Sequence, residues 1–147
     1  VSYLPSKFPP AAVHRCRGIG STTSVPLSTT ATLALGAADI TDAAYFTIGA
    51  NSVTCLKAGY VVASIGGSIA VSTPWNTNYA VYNQGSLKDT GPANQAAGGS
   101  GVSASFLVAA NDVITFRGIN SDTGAAHNFF TTGMWEVVFV PTKANPQ

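Results

Sequence analysis

The chain has 147 residues, which suits one domain and excludes two of ordinary size. Only 9% of them are charged, against about 25% in an average soluble domain, while 46% are hydrophobic; that balance excludes a disordered tail. With 7 basic and 6 acidic residues the net charge is +1, too little basicity for a dedicated nucleic-acid binder.

Residues 1–30 hold Pro5, Pro9, Pro10 and Pro26 and read as an extended N-terminal arm. The prolines leave no continuous apolar run, so the segment is not expected to be a secretory signal. Lys7, Arg15 and Arg17 all precede the first acid, Asp39, and make this arm the basic part of the molecule. From residue 31 to 141 strand signals recur. Short runs at Tyr45–Ile48, Ser52–Leu56, Tyr60–Ile65 and Tyr79–Tyr82 are separated by Gly, Asn, Lys57-Ala58-Gly59 or Asn83-Gln84-Gly85 punctuation. Lys88 to Gly101 reads as a polar, Gly-rich surface loop. Val102 to Val108 alternates in the period-two manner of a half-buried strand, Asn111-Asp112 supplies a turn, and Val113 opens the next strand. The last run, Met134 to Val140, is apolar on both faces: Trp135, Val137 and Phe139 on one, Met134, Val138 and Val140 on the other. Glu136 interrupts the second face and is expected near an edge or paired with Arg117. Residues 142–147 form a short tail. Many short strands at this spacing imply an all-β antiparallel sandwich or barrel.

Chemistry-bearing patterns are sparse. His127 follows Asp122 by five positions, yet no G-x-S-x-G elbow marks a nucleophile, so His127 reads as a polar loop residue and no catalytic site is expected. Gly99 to Ala104 fits G-x-G-x-x-A formally but leads into a strand rather than a helix, which removes the dinucleotide reading. Two Cys and two His lie scattered without metal-ligand spacing, and Asp39/Asp42 and Asn120/Asp122 read as turn formers; no metal or cofactor is expected. Cys16 and Cys55 suit either one bridge or, preferably, two buried thiols. The charge-free stretch from Ala58 to Leu87 is broken by Gly66, Gly67 and Pro74 and cannot make a spanning helix, and no N-glycosylation acceptor is present.

The order of these segments resembles the complement globular-head and tumour-necrosis-factor superfamily. YFTIGANSVTCLKAGYVVASIGGSIAV is similar to that family's strand, Gly-containing turn and following strand. YAVYNQGS resembles its next strand and hairpin, and SGVSASFLVAANDVITFRG its pair of strands joined by a tight turn. NFFTTGMWEVVFVP resembles its final strand, with Thr132-Gly133 before the hydrophobic run and Pro141 after it. The likeness covers residues 45 to 141 and implies a jelly roll that assembles as a compact homotrimer. Bacteriophage structural proteins use the same jelly roll with similar Ala, Gly, Ser and Thr enrichment.

A charge-poor surface and a strand apolar on both faces fit that implication, because the spare face needs a neighbour. Val62, Phe116, Trp135 and Phe139 are the candidates for the trimer axis. The leading functional expectation is a viral structural protein: a decoration (cement) protein on the outer capsid surface, made in the host cytoplasm. Its partners are then the major capsid protein or another virion protein, gripped through Lys7, Arg15 and Arg17, with neither nucleic acid nor membrane involved. The alternative is a receptor- or glycan-binding head of a tail fibre or spike, which would present Trp75, Tyr79, Tyr82 and the loop Lys88–Gly101. A secreted signalling ligand ranks third and an enzyme last.

Overall fold

The computed structural model describes residues 13–70, 77–92 and 98–140. Every regular element among them is a strand. In chain order these are β1 (His14–Gly20), β2 (Thr23–Val25), β3 (Thr29–Thr32), β4 (Leu35–Thr41), β5 (Phe46–Ile48) and β6 (Val53–Cys55). There follow β7 (Gly59–Ala70), β8 (Thr77–Asn83), β9 (Ser86–Thr90), β10 (Gly98–Val108), β11 (Val113–Asn120) and β12 (His127–Val140).

They form two sheets with antiparallel pairing throughout. The first runs β10-β7-β12-β1-β4, with β2 added to β12; the second runs β5-β6-β11-β8-β9, with β3 added to β11. Alternation along each strand sends one set of side chains between the sheets. From the first sheet come Cys16, Val61, Ala63, Ile65, Phe106, Trp135, Val137 and Phe139, and from the second Val53, Cys55, Tyr79, Val81, Ile114 and Phe116. Each large side chain buried here contributes about 1.5–3 kcal/mol relative to exposure. This is the two-sheet antiparallel jelly roll expected from the strand pattern.

Turn chemistry sets the connections. Gln84 (φ 51°) and Gly85 (φ 76°) make a two-residue hairpin between β8 and β9, the primed geometry that matches strand twist. Asn111 (φ 71°) turns the chain from β10 into β11, and Asp112 Oδ2 accepts from Ala109 N at 3.0 Å. In β12 the register against β7 shifts between Phe129 and Gly133. Gly133 has φ 153°, and a Cβ there would collide with the Gly66 carbonyl, so this step admits no side chain. Within the same irregularity Phe130 takes φ 63°, and both Phe129 and Phe130 lie buried.

Several expectations change. The arm over residues 1–30 does not hold from residue 14 onward: β1 lies between β12 and β4 inside the first sheet, and β2 and β3 also join the sandwich. The arm reading rested on prolines, three of which precede residue 13, whereas Pro26 follows the end of β2. Residues 1–12, Lys7 among them, lie outside the described residues. The expected loop Lys88–Gly101 begins inside β9 and ends inside β10, with 93–97 outside the described residues. Strand β9 is exposed along its whole length, so it carries no hydrophobic alternation to betray it.

Candidate functional site

The outward face of the first sheet is the surface on which residues of chemical interest converge. Its side chains line up in registered rows across β10, β7, β12 and β1. At one end stand Leu107, Tyr60 and Val140; next come Ser105, Val62, Val138 and Arg15. A third row holds Ser103, Ser64, Glu136 and Arg17, and a fourth Gly101, Gly66, Met134 and Ile19. Leu107 is 66% exposed, Ile19 62% and Met134 49%. Apolar rows thus flank a polar one, on a face that no other described residue covers.

Charges concentrate on the polar row. Arg15 approaches Glu136 at 3.8 Å, and Arg17 donates to both oxygens of Asp39, Nη2 to Oδ2 at 3.2 Å and Nε to Oδ1 at 3.4 Å. Two of the 7 basic and two of the 6 acidic residues therefore meet on one face, and their charges cancel. Arg15, Arg17, Ser64, Gly66, Met134 and Glu136 border a depression of about 500 Å³. Its floor stays open because Gly66 and its neighbour Gly101 carry no side chains.

Of the four expected axis residues, only Val62 faces outward. Phe116, Trp135 and Phe139 are 0–2% exposed and fill the space between the sheets, because strand alternation turns them inward. Met134, Val138 and Val140, on the other face of the same strand, face outward instead. Arg15 and Arg17 are sheet residues rather than arm residues. Arg117 does not reach Glu136: it lies on the second sheet, its guanidinium 4.0 Å from the centroid of the Tyr82 ring. Tyr79 is a core residue, wedged against Phe129 and Phe130, while Trp75 lies outside the described residues.

Two acid–imidazole pairs mark opposite ends of the sandwich. At one, His14 Nδ1 lies 2.5 Å from Asp42 Oδ2, and the His14 ring stacks on Tyr45 at 3.6 Å. At the other, His127 Nε2 lies 2.7 Å from Asp122 Oδ2, with both side chains at most 3% exposed. His127 is thus the first residue of β12 and not a loop residue. Asp122 Oδ1 accepts from Gly124 N at 2.7 Å, and Asn120 Nδ2 donates to the carbonyls of Val25, Pro26 and Ala125. The group ties the β11–β12 connection to the β2–β3 turn. The nitrogen that accepts the serine proton in a Ser-His-Asp set, Nε2, is here committed to the carboxylate. Sequence reasoning saw the Asp122/His127 spacing but had no signal for its burial. Asp42 and Asp122 behave as the turn formers they were expected to be, Asp42 Oδ1 accepting from Ala44 N.

Burial pushes the Cys16 and Cys55 thiols up to about 12, and the Tyr79 phenol likewise to about 12. Both thiols are free and inside the core, the preferred one of the two readings. Among the described residues no cluster of three or more His, Cys, Asp or Glu is placed to hold a metal.

The two-sheet order defines a class: an all-β jelly roll of the tumour-necrosis-factor type. Murine APRIL superposes with a TM-score of 0.70 at 10% identity, over 88% of this chain and 100% of that one. Eiger TNF from S. frugiperda does so with 0.67 at 9%, over 92% and 97%, and rabbit GITRL with 0.51 at 15%, over 67% and 78%. At such identities the likeness is one of fold. No protein-family profile matches the chain, and no curated protein sequence matches it.

Proposed function

We propose that the protein is a non-catalytic head module that works as a homotrimer, closing the outward face of its first sheet on two further copies. The observation that carries this reading is the outward apolar set on one face of a charge-poor chain: Leu107, Tyr60 and Met134 exposed, with Val62, Val138 and Val140 half-buried. Apolar side chains gathered on one outward face of a soluble protein mark an interaction surface. A further copy is the occupant because the face carries both arginines and carboxylates, so a neighbouring copy can offer each charge its opposite. Light scattering at micromolar concentration tests it. The native chain is expected at the mass of three subunits, and Val62→Glu with Val140→Glu at the mass of one with an unchanged circular dichroism spectrum. A native chain of single-subunit mass overturns the proposal.

The finer reading is that of a capsid decoration protein on a phage head. It is supported by the Ala, Gly, Ser and Thr enrichment and by the lack of chemistry-bearing motifs. Its action is mechanical: three copies of a weak contact gain affinity through effective concentration and favour the assembled shell over free subunits. With Arg15 and Arg17 held in β1, the capsid-gripping segment is residues 1–12 with Lys7. Deleting 1–12 is expected to leave a folded trimer and abolish capsid occupancy, read by labelled-antibody microscopy of virions; full occupancy by the truncated protein removes the arm from this role. A receptor- or glycan-binding head is the second reading. One observation favours it, a depression of about 250 Å³ bordered by Ser28, Thr29, Thr30 and Ser121, whose hydroxyl groups suit a sugar. A glycan array that stays blank removes it.

A further inference from the structure

The charged row across the first sheet would be costly to cover. Glu136 projects from β12, the middle strand of that sheet, between Met134 and Val138, and its side chain is only 29% exposed. Its single ion-pair partner among the described residues is Arg15, at the long distance of 3.8 Å, with the Arg15 side chain 53% exposed. Arg17, directly across from Glu136 in the β1–β12 register, turns instead to Asp39, which is half exposed. Covering this face with another apolar surface would take both ion pairs out of water, a desolvation cost that the long Arg15–Glu136 contact repays poorly. A copy of the same face brings two guanidinium groups and two carboxylates. The depression of about 500 Å³ bordered by Arg15, Arg17 and Glu136 leaves room for them.

We propose that Arg15, Arg17, Asp39 and Glu136 form a self-recognition key: on assembly the arginines of one copy meet the carboxylates of the next, so that only chains with matching charges close the ring. This rests on the homotrimer reading given above and adds to it which residues choose the partner. Rings with threefold symmetry use heterologous contacts, in which one patch meets a different patch on the neighbour. The face supplies two such patches, arginines from β1 and a carboxylate from β12. The apolar rows supply the affinity, and the charged row supplies the selectivity, because a like charge opposite a buried one opposes wrong partners.

The test is a charge swap followed by light scattering over a concentration series, with circular dichroism to confirm folding. Glu136→Arg is expected to raise the trimer dissociation constant by about tenfold or more, and the pair Arg15→Glu with Glu136→Arg to restore assembly. Glu136→Gln, which removes the charge without reversing it, is expected to fall between the native chain and Glu136→Arg. A Glu136→Arg chain that assembles as tightly as the native one overturns the inference while leaving the trimer intact. So does a swapped pair that fails to recover. A native chain that is itself monomeric overturns the trimer reading instead, which keeps the two failures apart.

Discussion

Tyr79 shows how one polar atom is accommodated inside an apolar layer. Its hydroxyl accepts from Phe130 N at 2.9 Å and donates to the Ser68 carbonyl at 3.3 Å, so the ring is buried while its oxygen stays satisfied. It thereby fixes the irregular step of β12 against the second sheet. Tyr79→Phe removes that acceptor and leaves a buried backbone N–H without it, at an expected cost of about 1–3 kcal/mol; urea denaturation reads the loss, and an unchanged midpoint refutes the role. Cys16, Cys55 and Tyr79 share a second property. Burial keeps each of them neutral, with folded pKa values of about 12 against ordinary values of 9.0 for the thiols and 10.0 for the phenol. The unfolded chain therefore releases protons first as pH rises. Stability that is fully present below about pH 9 declines between there and about pH 12. Denaturation midpoints measured across that interval are expected to fall, and to fall less steeply in a Cys16→Ala, Cys55→Ala chain. A flat profile contradicts the assignment.

At the scale of elements, β12 was the most legible part of the sequence and β1 the least. Met134 to Val140 alternates between bulky apolar residues and needs cover on both faces, which is what a strand in the middle of a sheet receives. Its first half was invisible, because Phe129, Phe130 and Gly133 break the two-residue period at the register shift. In β1 only Cys16 and Gly18 are fully buried, and neither advertises a strand. A Cβ on Gly18 would stand 2.7 Å from the Trp135 ring, so that glycine exists to admit the indole. The prolines upstream then lent the whole region the look of an arm. The structure makes this distinction testable by truncation. Removal of residues 1–12 is expected to leave the melting temperature within a few degrees of the full chain. Removal through Gly20 takes away a ladder between β12 and β4 and is expected to give no cooperative unfolding transition. A cooperative melt after the longer deletion speaks against β1 as a structural strand.

For the whole molecule, composition spoke more clearly than any motif. The 9% of charged residues led to the expectation of a neighbour for the spare apolar face, and the two-sheet layering was readable from the strand spacing. Which residues line the interaction face was not, since Trp135 and Val138 are equally apolar in the sequence and only the register decides which turns inward. The charged row escaped notice for a related reason. Arg15 and Arg17 are distant along the chain from Asp39 and from Glu136, and the three sets come together only through β1 pairing with both β4 and β12. The proposed assembly on this face would couple folding to concentration by mass action. The melting temperature is therefore expected to climb as protein concentration is raised from low to high micromolar, and a concentration-independent melt counts against it.

The antiparallel neighbours β1 and β12 place His14 opposite Phe139. The start of β1 and the end of β12 therefore lie side by side, at the pole where His14 stacks on Tyr45. The pole carrying Asp122 and His127 lies a full strand away, about 45 Å for fourteen extended residues. Anything tethered at His14 or Val140 holds the molecule by one pole and presents the other outward, so a reporter or epitope grafted between Ala125 and Ala126 would be displayed at the tip, clear of the anchorage.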